Sequence, residues 1–259
     1  MKLPLYQVDA FTHQVFSGNP AAVCPLDSWV DEAVMQAIAA ENNLAETAFF
    51  VQTEKGFDIR WFTPSVEVDL CGHATMASAH VLFEHMHYSQ EKIVFSSRSG
   101  DLVVSKAGRG YEMNFPAQPC EAREQFDQAE NAFGVRPIEC HSDQDYLLVF
   151  ENEDIVRELN PDLAALKTWD KRGVIVTARG DQTDFVNRFF APNCGIDEDP
   201  VTGSAFTQLT PYWAKKLDKT TLSAKQISKR GGDVQVTLLG NRVLIRGECV
   251  SYLEGHIHI

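Results

Sequence analysis

Glu46 lies in Leu44-Ala45-Glu46-Thr47-Ala48-Phe49-Phe50, a carboxylate entering an otherwise apolar strand pattern. Desolvation strengthens a carboxylate as a base, the property a group needs if it is to take a proton from carbon near neutral pH. Read alone, Glu46 is as simply a strand-edge acid in water. His73 stands in Cys71-Gly72-His73-Ala74-Thr75, where small residues open a helical pattern. The positive end of the helix dipole disfavours a second positive charge there, so the position predicts a neutral imidazole able to give and take a proton. The same dipole lowers the pKa of a thiol at Cys71, although a buried cysteine is more often a small hydrophobe. Asp199 precedes Gly203-Ser204-Ala205 as a capping acid would, and Ser204 reads equally as a local hydrogen-bonding residue. Gly18-Asn19-Pro20 has the composition of a turn whose amides could touch a ligand.

These residues sit in two related frames. Arg60-Trp61-Phe62-Thr63-Pro64 recurs as Arg188-Phe189-Phe190-Ala191-Pro192, from position 60 to position 188, a displacement of 128. Each copy runs through a turn into a glycine-led helix, His73 to about His87 and Gly203 to about Leu217. Unpartnered amides at such ends, with the dipole behind them, attract anions. If the two halves face each other, two such ends enclose one cleft. Both helices are apolar on most sides, which predicts a helix surrounded by strands in each half. Pro211 should kink the second, at a cost of about 3 kcal/mol unless its surroundings are shaped for it.

Short β-branched or aromatic runs predict strands at Leu5 to Phe11, Ala48 to Val51, Asp58 to Phe62, Lys92 to Ser96, Asp101 to Lys106 and Tyr111 to Phe115. In the second half they fall at Gln144 to Phe150, Gly173 to Thr177, Asp184 to Phe190, Asp233 to Leu239 and Arg242 to Gly247, the last two joined by a Gly240-Asn241 hairpin turn. Further helices are predicted at Asp31 to Glu41 and, broken at Asn160-Pro161, at Asp154 to Leu166. Pro116-Ala117-Gln118-Pro119 marks the main boundary, giving domains 1–117 and 118–259, with a terminal strand near 250–259 free to return to the first.

A chain of 259 residues, 44% hydrophobic, with a net charge of -13, is a soluble globular protein with real cores and a poor partner for nucleic acid. No apolar run approaches the roughly 20 residues of a membrane span, and no signal peptide pattern opens the chain, so a cytoplasmic protein is expected. The six cysteines are scattered singly without metal-ligand spacing, and His256 and His258 share a face of a terminal strand as a metal pair might, with no third ligand suggested nearby. No dinucleotide fingerprint or phosphate loop is present, and no cofactor or metal is expected.

Taken together, Phe16-Ser17-Gly18-Asn19-Pro20-Ala21-Ala22-Val23, Ala45-Glu46-Thr47-Ala48-Phe49-Phe50, Phe62-Thr63-Pro64 with Glu67-Val68, Cys71-Gly72-His73-Ala74-Thr75 and Glu198-Asp199-Pro200-Val201-Thr202-Gly203-Ser204-Ala205 resemble the PhzF-like (phenazine biosynthesis-like) isomerase family of the diaminopimelate epimerase fold. The likeness spans nearly the whole chain. It implies an α/β (α+β) protein of two pseudo-symmetric domains, each a mostly antiparallel barrel around a central helix, paired as a homodimer and acting on a small carboxylate without a cofactor. By that resemblance Glu46 is the general base, and His73 and Asp199 shuttle the proton or hold the substrate. Amides and side chains at Gly18, Asn19, Gly72, Ala74, Gly203 and Ser204 would bind the carboxylate and its developing charge. Related epimerases and racemases use a thiol at each helix mouth. Here Cys71 matches the first and Asp199-Pro200 stands at the second, so a cysteine-dependent racemase is the alternative, and a non-catalytic metabolite-binding module on the same fold another. Phe206 replaces a histidine common in the family, which predicts a more apolar pocket.

Overall fold

The computed structural model describes residues 1–124 and 126–259. They divide into two compact units, Met1–Asn114 with Arg246–Ile259, and Phe115–Ile245. In chain order the elements of the first stretch are β1 (Lys2–Ala10), β2 (Asn19–Leu26), α1 (Glu32–Asn42), β3 (Glu46–Thr53), β4 (Gly56–Phe62), β5 (Glu67–Val68), α2 (Gly72–His80), β6 (Lys92–Ser97), β7 (Gly100–Ala107) and β8 (Gly110–Pro116). Then come β9 (Glu121–Ala122), α3 (Phe126–Phe133), β10 (Glu139–Ser142), β11 (Tyr146–Val149), α4 (Glu153–Glu158), α5 (Leu163–Leu166), β12 (Val174–Arg179), β13 (Phe185–Phe190), α6 (Phe206–Leu217), β14 (Thr221–Gln226), β15 (Gly232–Leu239), β16 (Arg242–Gly247) and β17 (Cys249–His258).

In the first unit β1 lies between β17 and β2, antiparallel to both, with β17 paired along its whole length from Lys2↔His258 to Ala10↔Cys249. The predicted turn at Gly18-Asn19-Pro20 is a turn only at Gly18, where φ is +66°; Asn19 already begins β2. β2 is an inner strand despite two prolines, because each lies beyond one ladder. Pro25 follows the end of the pairing with β1, and Pro20 precedes the start of the parallel pairing with β3 at Ala21↔Glu46. Such a strand reads poorly from sequence.

α2 packs against β1, β2, β3, β7 and β17, and His73 through His80 are all buried. Apolar burial of this kind stabilises by about 1.5–3 kcal/mol per large side chain. The hydroxyls of Thr75 and Ser78 are satisfied inside the helix, on the carbonyls of Cys71 (2.6 Å) and Ala74 (2.8 Å). The helix does not run on unchanged to His87. Val81–His85 form a π-helical turn, closed by Met86 N–H on the Val81 carbonyl. Wider winding brings residues five apart onto one face, so His80 and His85 both reach the Ser251 hydroxyl of β17, at 2.9 and 2.7 Å. Burial pushes the His80 pKa down to about 4, so it bridges Tyr111 and Ser251 as a neutral ring.

In the second unit β11 and β12 are parallel and β12 and β13 antiparallel, the same sequence of pairings as β2, β3 and β4. A short 3-10 turn, Gly203–Ala205, leads into α6. α6 continues through Pro211 because the carbonyl that loses its helical partner, that of Thr207, accepts Gln118 N–H at 2.9 Å. The surroundings are shaped for the proline.

The repeat extends to the side chains. Arg60 of β4 grips Glu67 with Nε and Nη2, both at 2.7 Å, and lies over the Phe62 ring. Arg188 of β13 grips Glu198 at 2.7 and 3.0 Å and lies over Phe190. Each bidentate pair pins the turn that delivers the chain to its helix.

Candidate active site

In the first unit the site is assembled by strand starts and one helix start. Glu46 opens β3, His73 is the second residue of α2, Cys71 precedes that helix in extended conformation, and Asn19 opens β2. All four are buried, Glu46 being 9% exposed and Asn19 wholly enclosed. His73 Nε2 lies 3.2 Å from Glu46 Oε2; Nδ1 lies 3.2 Å from the Asn19 amide and 3.5 Å from Cys71 Sγ. Glu46 Oε2 and His73 Nε2 are close as charges but not aligned as a hydrogen bond, and neither has another partner among the described residues. Buried polar atoms are seldom left in that state.

The electrostatics correct two sequence expectations. Burial opposes the charging of His73, but Cys71 and then the Glu46 carboxylate outweigh it and hold its pKa well above the ordinary value. The protonated ring is favoured over the neutral base that the helix dipole alone predicts, because ionisable neighbours at 3.5 Å (Cys71) and 3.2 Å (Glu46) act more strongly than a helix end. Burial, then Glu46, pushes the Cys71 thiol up rather than down. Gly18 is fixed by geometry: a Cβ there would fall 2.1 Å from the Ala10 carbonyl oxygen. Gly72 and Ala74 flank His73 at the helix start, where Cys71 supplies no side-chain cap.

The donor atoms of Glu46, Cys71 and His73 lie within 4.8 Å of one another, a set of the kind that can hold a metal. A metal needs a thiolate and a neutral imidazole. With no ion bound the surroundings raise the pKa of both groups, so a metal would have to displace a proton from each.

In the second unit Asp199 does not cap the helix. Its Oδ2 accepts from the Thr202 hydroxyl at 2.5 Å, while Gln226 holds the loop through the Asp199 carbonyl (2.7 Å) and Thr202 N–H (3.0 Å). Gly203 is buried and Ser204 half-buried. Ser204 Oγ accepts from Arg172 Nη2 at 2.9 Å, and Arg172 is in turn bound by Asp145. Phe206 is wholly buried and packs toward Phe185. Sequence reading passed over Arg172, Asp145 and Gln226. Gln226 is the inward residue of an alternating strand, Leu222, Ala224, Gln226, and a polar residue at that period was its only signal.

The sequence matches the family described as phenazine biosynthesis-like protein over residues 8–255. A Pseudomonas aeruginosa protein named an uncharacterized isomerase is 51% identical over 261 residues, with all of both chains covered. The crystal structure of a PhzF family protein from Enterococcus faecalis superposes with a TM-score of 0.98 at 46% identity, again over the whole of both chains. A hydroxyproline epimerase from Agrobacterium vitis, 10% identical with a TM-score of 0.62 over 99% of this chain and 92% of its own, shares the fold alone. The chain therefore belongs to the phenazine biosynthesis-like (PhzF) family of isomerases, on an α+β fold shared with epimerases.

Proposed function

We propose that the protein is a cofactor-independent isomerase that moves a C–H proton in a small carboxylate-bearing metabolite. Glu46 takes the proton, the electron pair of the broken C–H bond passes into an enolate, and a second proton is returned to another carbon by His73 or Asp199. Main-chain and side-chain donors at Gly18, Asn19, Gly72, Ala74, Gly203 and Ser204 hold the carboxylate and the developing charge. The observation that carries this reading is the buried Glu46 and His73 pair, 3.2 Å apart yet with Oε2 and Nε2 not hydrogen-bonded to each other. A carboxylate whose charge is balanced by an adjacent imidazolium is tolerated in that interior. Once Glu46 has accepted the proton, the imidazolium is left to balance the enolate. Proton transfer by placed groups supplies about 10² to 10⁴ in rate, and donors aimed at the enolate supply much of the remainder.

None of the six cysteines is in a disulfide, and the resemblance extends the reading to a cytoplasmic homodimer. Screening small unsaturated carboxylates and amino acids in deuterium oxide by proton NMR tests the reading. Deuterium must enter a carbon position of at least one compound together with formation of an isomer; binding without any exchange at carbon would mark a metabolite-binding module instead.

A further inference from the structure

Arg172 occupies a revealing place in the repeat. Phe62 pairs with Thr47, and its counterpart Phe190 pairs with Val174. The residue equivalent to Glu46 is therefore Gly173, and Arg172 stands beside it. A Cβ at 173 would fall 2.5 Å from the Phe189 ring, so the second unit has no side chain where the first has its carboxylate. It has instead a guanidinium seated over that ring, with Cζ 5.4 Å from the centroid.

The edges of this guanidinium are allotted. Asp145, wholly buried, takes Nε at 3.0 Å and Nη2 at 2.6 Å, and Gln208 Nε2 braces the same carboxylate at 3.1 Å. Occupation of the Nε and Nη2 edge leaves the second hydrogen of Nη2 pointing to the Nη1 side, where Ser204 Oγ accepts it at 2.9 Å. Because Ser204 accepts there, its own hydrogen is left to donate outward. Nη1 has no acceptor among the described residues, and the Arg172 side chain is 32% exposed. That edge thus presents one free N–H of a permanent cation, on Nη1, beside an O–H donor.

We infer that Arg172 and Ser204 together bind a carboxylate of the substrate, one oxygen on Nη1 and the other on the Ser204 hydroxyl, making Arg172 a specificity-determining residue for a carboxylate over its neutral amide. The inference rests on the isomerase reading above for the identity of the ligand as substrate, and it is tested by binding alone. Isothermal titration with benzoate and acetate, each against benzamide and acetamide, reads the selectivity. Benzoate binds the wild-type protein at least about tenfold more tightly than benzamide, as expected when charge-assisted hydrogen bonds are exchanged for neutral ones. Ser204→Ala, and the charge-neutral double variant Arg172→Met with Asp145→Asn, each remove most of that preference; Arg172→Lys, which keeps the charge but not the paired edge, keeps only part of it. The double variant guards against unfolding by an uncovered Asp145. Equal binding of acid and amide by the wild-type protein, no measurable binding of either acid, or a preference unchanged in both Ser204→Ala and the double variant would each overturn the inference. Glu46→Gln keeps the preference whatever its effect on exchange at carbon, so failure of the base and failure of this binding pair are read separately.

Discussion

At the residue scale the chemistry turns on how three buried groups share charge. Glu46 and His73 were legible in the sequence as chemistry-bearing residues, each in its own segment. Their contact was not, since it depends on β3 and α2 starting side by side. The helix-end field, the one effect visible in sequence, pointed the wrong way for both His73 and Cys71: Cys71 and Glu46 outweigh it at His73, and burial outweighs it at Cys71. His73 is expected to titrate well above the ordinary histidine value of about 6.5, and Glu46→Gln to bring that value down; ¹⁵N-resolved NMR of the ring nitrogens measures both. A folded-state value raised above the unfolded one stabilises fully below about pH 6.5 and is lost as pH rises through the folded value. Chemical unfolding across that window should show the decline in the wild-type protein and a flatter profile in Glu46→Gln. The thiol, buried and pushed up, should react slowly with iodoacetamide, and Cys71→Ser should retain isomerisation to within about tenfold, against the loss of several powers of ten that a nucleophilic or basic thiolate would show.

Elements set those contacts, and their own causes were partly written in the chain. The two central helices, the hairpin at Gly240-Asn241 and the break at Asn160-Pro161 follow from periodicity and turn chemistry, and the structure has each: α6 ends at Leu217, β15 stops at Leu239 before β16 at Arg242, and α4 and α5 are separated around Pro161. β2 escaped because its prolines mimic loop composition, and the π-turn after His80 escaped because its side-chain partner Ser251 is distant in sequence. The turn at Gly18 is the element on which Asn19 most depends. Alanine there would need positive φ and a backbone overlap with Ala10, so Gly18→Ala is expected to lower stability by at least about 1–3 kcal/mol, measured by urea unfolding, and to weaken carboxylate binding where the fold survives.

At the scale of the whole molecule the chain reads as a duplication whose copies have diverged in charge. Both keep the arginine clamp on the turn before the helix, but one keeps a glutamate and a histidine and the other an arginine and a serine. That division was only half legible: the repeated Arg-aromatic-Phe motif is plain in the sequence, whereas the register that equates Glu46 with Gly173 needs the paired strands. The first unit also closes on the far end of the chain, since β17 covers the full edge of β1. Deleting residues 249–259 should therefore abolish cooperative unfolding of the first unit, although that unit's other strands lie within residues 1–116, with circular dichroism and proteolysis as the readouts.

Deuterium incorporation at carbon by Glu46→Gln, compared with the wild-type protein on the same exchanging substrate, tests the central claim most directly. Exchange reduced to background, with the unfolding transition and substrate binding retained, is the expected result; exchange at the wild-type rate would place the base elsewhere and contradict it.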